Sequence, residues 1–397
     1  MATAIVHRKE RQFLPDLESQ GFLAAIRVIE QILVTAHPEF MQAALAELRQ
    51  LDTRLTPLEE LTNSITLCQS SNTVSLQQRA MKAQLIFVRH LAPVQAVVPL
   101  TNTQEDLILL ANAIADLPTF AQLERGVPFA IQSRLVQSDK LKGERPYSSG
   151  RLNQALAGAF TEETGAVETI KKPRIVVSIL CTASQAYVGI STAEENLSNW
   201  TGGEQHFAQT REQISRAEFK LLEALDVFDL SLPTRGTALD LGAAPGGWTR
   251  ILLEAGLNVI AVDPARLDVR LERRTERHPH LEHYRGYSEE YLVEAIQRKQ
   301  IFDIIVNDMR MDARDAARLL AQASRCLRED GFIVSVFKLP HATPGMHPLT
   351  ILKEAIRLLH TAYGVVQVRQ LFHNRQEVTA VAAQPVRQTP PFHPRRR

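Results

Sequence analysis

From residue 212 onward, short apolar runs alternate with longer stretches whose apolar residues recur at helical spacing. The runs at 237–241, 258–262, 302–307, 331–337 and 376–383 predict strands. The stretches near 215–227, 247–255, 286–298, 312–328 and 348–362 predict helices. Alternation of this kind builds a doubly wound, Rossmann-like α/β domain, here over residues 212–384.

Upstream the rhythm differs. Within residues 1–80, "FLAAIRVIEQIL" and "FMQAALAELRQL" carry helical spacing, so a mostly helical N-terminal region is expected, with no chemistry visible in it. Residues 81–205 read as strand, helix, strand, helix and a strand pair that turns near Ser184, an α+β region. Thr103 is a candidate cap for the first of these helices. The polar stretch 193–212, with its Gly-Gly pair, reads as a linker. Residues 385–397, Pro-rich and ending in three arginines, read as a disordered basic tail.

Composition narrows the classes. At 397 residues, 45% hydrophobic and 22% charged, the chain can bury two or three cores without staples. Cys68, Cys181 and Cys326 lack CxxC or Cys/His spacing, which argues against a disulfide framework or a bound metal and suits a reducing compartment. No apolar run approaches the roughly 20 residues of a membrane span. "MATAIVHRKERQF" has no signal-peptide core, so a cytoplasmic protein is expected. A net charge of +1 does not announce nucleic acid, so any RNA surface must be local.

The chemistry starts at "DLGAAPGGWT", residues 240–249, where a strand should end near Asp240 and a helix begin near Gly247. Gly242 would let a ligand approach the main chain. Pro245 would fix the turn, and Gly246 and Gly247 would keep the helix mouth open. The spacing is neither GxGxxG nor a Walker loop, because Trp248 stands where the Lys would be needed. A nicotinamide oxidoreductase fails on that spacing. Asp263 ends the next strand, where it can accept both hydroxyls of a ribose. A nucleoside with a ribose and little phosphate suits such a pocket, and S-adenosylmethionine is one.

Four charged residues stand near predicted element ends. Asp308 and Lys338 close strands, Lys220 lies on the helix before the Gly loop, and Glu377 opens the last strand. Singly, each is more often a surface charge than a catalyst.

In order, these residues resemble the FtsJ-like ribose 2′-O-methyltransferases with their Lys-Asp-Lys-Glu tetrad. "SRAEFKLLEALDVFDL", "DLGAAPGGWT", "VNDM", "FKLP" and "RQLFHNRQEVTAV" look most like the subfamily acting on large-subunit ribosomal RNA, the M subfamily. "AQLIFVRHL", "PFAIQSRLVQ" and "IVVSILCTASQAYVGIS" resemble that subfamily's ferredoxin-like and THUMP region. The resemblance implies an S-adenosylmethionine-dependent methyltransferase domain preceded by a THUMP-like RNA-binding region, with 23S ribosomal RNA as partner. It implies catalysis by Lys220, Asp308, Lys338 and Glu377. It places Asp240, Gly242, Ala243, Pro245, Gly246, Gly247, Trp248, Asp263 and Asp308 at the cofactor. "HYRGYSEEYL" has no Asp where family members often carry one for the adenine, and Ser335 is an alternative to Lys338 on its strand.

On that reading, burial and the neighbouring cation Lys220 should lower the Lys338 pKa and free an amine to handle the hydroxyl proton. Lys140, Lys142, Arg145 and Arg151, beside Tyr147, form a loop suited to phosphates and a stacked base. The alternatives are a methyltransferase of another RNA or of a small molecule, and a non-catalytic RNA-binding protein with a methyltransferase fold. In calorimetry, S-adenosylmethionine binding supports the enzyme readings, and NADH binding instead would revive the oxidoreductase.

Overall fold

The computed structural model describes residues 30–136, 145–272, 280–341 and 347–386. The chain divides into two units, Met1–Gln205 and His206–Arg397.

The described residues of the first unit open with β1 (Gln31–Thr35), α1 (Met41–Leu51), β2 (Thr56–Thr62), β3 (Ile65–Gln69), α2 (Thr73–Lys82) and β4 (His90–Val94). Its four strands pair antiparallel in the order β2-β3-β1-β4, the arrangement of a ferredoxin-like split βαβ motif. The expectation of a helical region over 1–80 is therefore corrected. Residues 31–33 of "FLAAIRVIEQIL" lie in β1, and residues 22–29 lie outside the described residues. A short apolar run buried in a sheet carries no periodicity that separates it from a helix, and Ile32, Leu33 and Val34 are such a run.

A five-stranded sheet follows. β5 (Ala96–Pro99), α3 (Glu105–Ala115), β6 (Pro128–Leu135), α4 (Ser149–Thr164), β7 (Val167–Glu168), β8 (Ile175–Cys181) and β9 (Gln185–Thr192) pair in the order β5-β9-β8-β6-β7. Leu110 and Ile114 of α3 and Leu156 and Phe160 of α4 close over Phe129 and Val177. α4 is delimited locally: Ser148 Oγ accepts from the Arg151 N–H at 3.3 Å, and Gly165 ends it at φ 73°.

The second unit contains α5 (Glu218–Val227), β10 (Thr237–Leu241), α6 (Gly247–Glu254), β11 (Asn258–Val262), α7 (Val269–Glu272), β12 (Leu281–Tyr284), α8 (Ser288–Gln297) and β13 (Phe302–Asn307). It continues with α9 (Ala313–Ala323), β14 (Leu327–Lys338), α10 (Pro348–His360), β15 (Tyr363–Arg369) and β16 (Glu377–Pro385). The sheet order is β12-β11-β10-β13-β14-β16-β15, seven strands where the sequence pattern predicts five. The two additional strands are the edges. β12 has four residues, two of them charged or imidazole, and β15 alternates buried with exposed positions without a long apolar run.

Two features of this topology place the site. β10 pairs with β11 on one side and β13 on the other, so the strand order reverses there and a crevice opens beyond their carboxyl ends. β16 runs antiparallel to β14, so its first residue, Glu377, lies directly opposite the last residue of β14, Lys338. Among the described residues no helix is long and apolar enough to cross a membrane.

Candidate active site

The four charged residues converge. Lys220 Nζ lies 3.2 Å from both Asp308 carboxylate oxygens and 2.6 Å from Glu377 Oε1. Lys338 Nζ lies 2.5 Å from Asp308 Oδ1 and 2.6 Å from Glu377 Oε2. Each amine thus bridges both carboxylates, and the four groups close a ring of alternating charge. Glu377 is the most enclosed, with 9% of its side chain exposed against 25% for Lys338. Ser335, the alternative on β14, is buried and accepts from Asn307 Nδ2 at 2.9 Å. That bond ties the end of β13 to β14 and leaves Ser335 out of the ring.

The electrostatics correct one expectation. Burial pulls the Lys338 amine down, but the adjacent carboxylates of Asp308 and Glu377 more than reverse this, and its pKa lies above the ordinary lysine value. For Glu377, burial raises the carboxyl, and Lys220 and Lys338 outweigh it, so its pKa is lowered. Lys338 is held as an ammonium, not freed as an amine.

The Gly loop is also rearranged relative to expectation. Gly242 has φ 74°, which favours glycine, but a Cβ there would collide with the Met309 side chain. Gly246 and Gly247 do not keep a mouth open. They are buried, and side chains at them would strike Leu271 in the first case and Ser215 with Glu218 in the second. Their smallness lets α6 start in close contact with its neighbours. Trp248 does not reach the crevice either. It is 3% exposed, and its indole N–H donates to the Ala217 carbonyl at 2.7 Å, fastening α6 to the turn before α5. Ala243 is buried while Pro245 is exposed. Asp240 is buried, accepts from Thr249 Oγ at 2.6 Å, and has its pKa pushed up to about 7 by burial and by the nearby Asp308 and Asp263 charges.

An open cleft of about 1010 Å³ lies beside the ring, lined by Lys220, Lys338, Phe372, His373 and the exposed Arg216, Arg310 and Arg375. Residues 213–375 match the FtsJ-like methyltransferase family. The domain belongs to that family. Relatives called ribosomal RNA large subunit methyltransferase M agree with this. The one from Halorhodospira halophila is 32% identical over 199 residues, 49% of this chain and 53% of that protein. The one from Laribacter hongkongensis is 34% identical over 184 residues, 43% and 48% of the two chains. The one from Pseudomonas aeruginosa is 26% identical over 326 residues, 79% of this chain and 85% of its own length. The chain thus spans about half the length of the first two relatives. Among solved structures, TrmN from Thermus thermophilus aligns over 89% of this chain and 99% of its own at TM-score 0.38 and 18% identity.

The FtsJ-like domain implies S-adenosylmethionine, and the residues at the crevice fit it. Asp263 holds its carboxylate rigidly at the tip of β11, with Oδ2 accepting from the Ala244 N–H at 3.0 Å and Oδ1 from the Ala265 N–H at 2.8 Å. Each oxygen keeps a lone pair for a ribose hydroxyl. α6 points its first N–H groups toward the loop, where a carboxylate is favoured.

Of the residues expected to capture RNA in the first unit, two are engaged elsewhere, while Arg151 is exposed on α4. Tyr147 is 4% exposed, and its hydroxyl donates to Asp106 Oδ2 at 2.6 Å, so it is core and not a stacking platform. Arg145 is occupied by Asn102 Oδ1 and the Thr182 carbonyl. Lys140 and Lys142 lie outside the described residues, as does the basic tail from residue 387.

Proposed function

We propose that this chain transfers a methyl group from S-adenosylmethionine to a ribose 2′-hydroxyl of RNA, and that the RNA is large-subunit (23S) ribosomal RNA. The observation that carries the proposal is the closed ring of Lys220, Asp308, Lys338 and Glu377 beside a cleft with three exposed arginines. The names of the relatives support the choice of RNA. Such a substrate would place the reaction in the cytoplasm.

A sulfonium supplies, when bound, a carbon that takes an electron pair from the acceptor while the old C–S pair returns to sulfur. The protein's part is to hold the acceptor and manage its proton. Lys338, kept charged by two carboxylates, donates an N–H to the 2′-oxygen and aims a lone pair of that oxygen at the incoming carbon. Its charge also disfavours rotation of the hydroxyl away from that line. As the O–C bond forms, the hydroxyl proton becomes strongly acidic. It passes to a carboxylate oxygen of Asp308 or Glu377 and then to water in the open cleft. Lys220 balances the two carboxylates so that neither collapses wholly onto Lys338. The first unit, read as THUMP-like, would fix register through phosphate contacts.

Two measurements test the proposal. Calorimetry should show S-adenosylmethionine binding. A deletion strain should lose a 2′-O-methyl mark in 23S RNA, and purified protein should restore it. Loss of a mark in another RNA, or of no mark, would overturn the assignment of the substrate.

A further inference from the structure

Glu223 lies three residues after Lys220 on α5, which puts the two on one side of the helix. Lys220 reaches the ring, whereas Glu223 reaches the turn before β16. Its Oε1 accepts the Phe372 N–H at 2.7 Å. Its Oε2 accepts the His373 N–H at 2.8 Å and lies 2.7 Å from His373 Nδ1. Glu223 is 2% exposed. A carboxylate buried this deeply is costly unless its lone pairs are satisfied, and three contacts from one turn satisfy these. The same turn is held again by Asn374, whose Oδ1 accepts from the Leu371 N–H at 2.9 Å and from Thr379 Oγ at 3.0 Å.

What this scaffold displays is a pair of rings. Phe372 and His373 meet edge to face, with centroids 5.2 Å apart, and both line the cleft. His373 is backed by Phe207 and Phe219, at 5.5 and 5.3 Å. With Oε2 of Glu223 as acceptor, the proton sits on Nδ1, leaving Nε2 as the ring's other hydrogen-bonding atom. His373 stands four residues before Glu377, a reach of at most about 14 Å. A ribose at Lys338 carries its base within a comparable range.

Resting on the proposed function, we propose that Phe372 and His373 form the platform that receives the nucleobase of the nucleotide being methylated. Glu223 acts through them as a positioning residue. A base is flat and has a π face, which suits aromatic rings, while Arg216, Arg310 and Arg375 suit the adjoining phosphates.

The test is methyl transfer to a synthetic RNA fragment containing the nucleotide that the wild-type protein modifies. A second fragment is abasic at that nucleotide. Wild-type protein should lose roughly 5- to 150-fold in kcat/KM on the abasic fragment. Phe372→Leu and His373→Ala should lose a similar factor on the intact fragment, mainly through KM, and little more on the abasic one. Glu223→Gln, which keeps an acceptor, should fall between wild type and Glu223→Ala. S-adenosylmethionine affinity, measured on the same samples, should stay unchanged and so report an intact fold. Wild-type discrimination surviving in both ring variants would overturn the platform and leave the proposed function standing. Failure of wild-type protein to methylate any ribosomal RNA would take both down.

Discussion

Lys338 and Glu377 are direct cross-strand neighbours, last residue of β14 against first residue of β16, with Nζ 2.6 Å from Oε2. One antiparallel strand, inserted between β14 and β15 of an otherwise parallel sheet, is what allows this. Every parallel strand delivers its last residue to the crevice, and β16 alone in this set delivers its first. The ion pair therefore follows from topology, and Asp308, at the end of β13, joins it from the other side.

Because Lys338 is held above the ordinary lysine value, its role should not depend on losing a proton near neutrality. Lys338→Ala should abolish turnover with cofactor affinity nearly intact. Arg at 338 should restore little, because its planar fork cannot sit where one ammonium bridges two carboxylates. In single-turnover methyl transfer the wild-type rate should show no rise assignable to Lys338 below about pH 10. A rise centred near pH 8 that moves upward in Lys220→Ala would restore Lys338 as a general base.

The same shifts set a stability window. The raised Lys338 pKa contributes stability that is present below the ordinary lysine value and lost as pH climbs through the folded value. The lowered Glu377 pKa contributes stability that is present above the ordinary carboxylate value and lost as pH falls through the folded one. Thermal midpoints of wild type and Lys338→Met should therefore differ in one direction across a plateau from about pH 5 to pH 10 and converge outside it. A difference unchanged at pH 3 would mean that the ring is not ionised as drawn.

Much of the second unit was legible before its structure. Strands that end in Asp308 or Lys338 announce themselves because a buried parallel strand is a continuous apolar run, and its first charge marks its tip. β12 and β15 were not legible, since edge strands need only one protected face. The Gly loop was located correctly, but the reasons for Gly246, Gly247 and Trp248 were not visible. Each is set by a residue distant in sequence, Leu271, Ser215 and Ala217. The sign of the Lys338 shift was missed because it depends on two carboxylates bracketing one amine, which no spacing reveals. Glu223 carried a usable signal, a second acid three residues after Lys220 on an apolar helix.

Asp240 offers a separate prediction. Its carboxyl titrates near pH 7 because burial and the Asp308 and Asp263 charges favour the neutral form. This raised acid disfavours folding as it ionises, so stability should decline as pH rises from about 4 to 7 and then level off. Asp240→Asn can still accept from Thr249 and should abolish that decline. If the cationic methyl donor binds beside it, binding should release a proton near pH 6–7. Calorimetry in buffers of different ionisation enthalpy reads this directly, and zero proton release would put Asp240 outside the cofactor's field.

Asp263 makes the sharpest test of the cofactor site. Its two oxygens are fixed by the Ala244 and Ala265 amides, so Asp263→Ala removes a preoriented acceptor pair and frees two N–H groups. Loss of charge-assisted hydrogen bonds to a ribose should weaken S-adenosylmethionine binding by roughly 1.5–3 kcal/mol, about 10- to 150-fold. Asp263→Asn should lose less, since it keeps one acceptor. The second unit has its own sheet and a core that includes Leu221, Trp248, Leu252 and Val306, so a chain starting at His206 should fold and show the same ranking of variants. It should lose most RNA affinity if the first unit captures the substrate. Unchanged cofactor affinity in Asp263→Ala would move the ribose elsewhere along the β10–β11 edge, and full RNA affinity in the shortened chain would assign capture to the arginine-lined cleft alone.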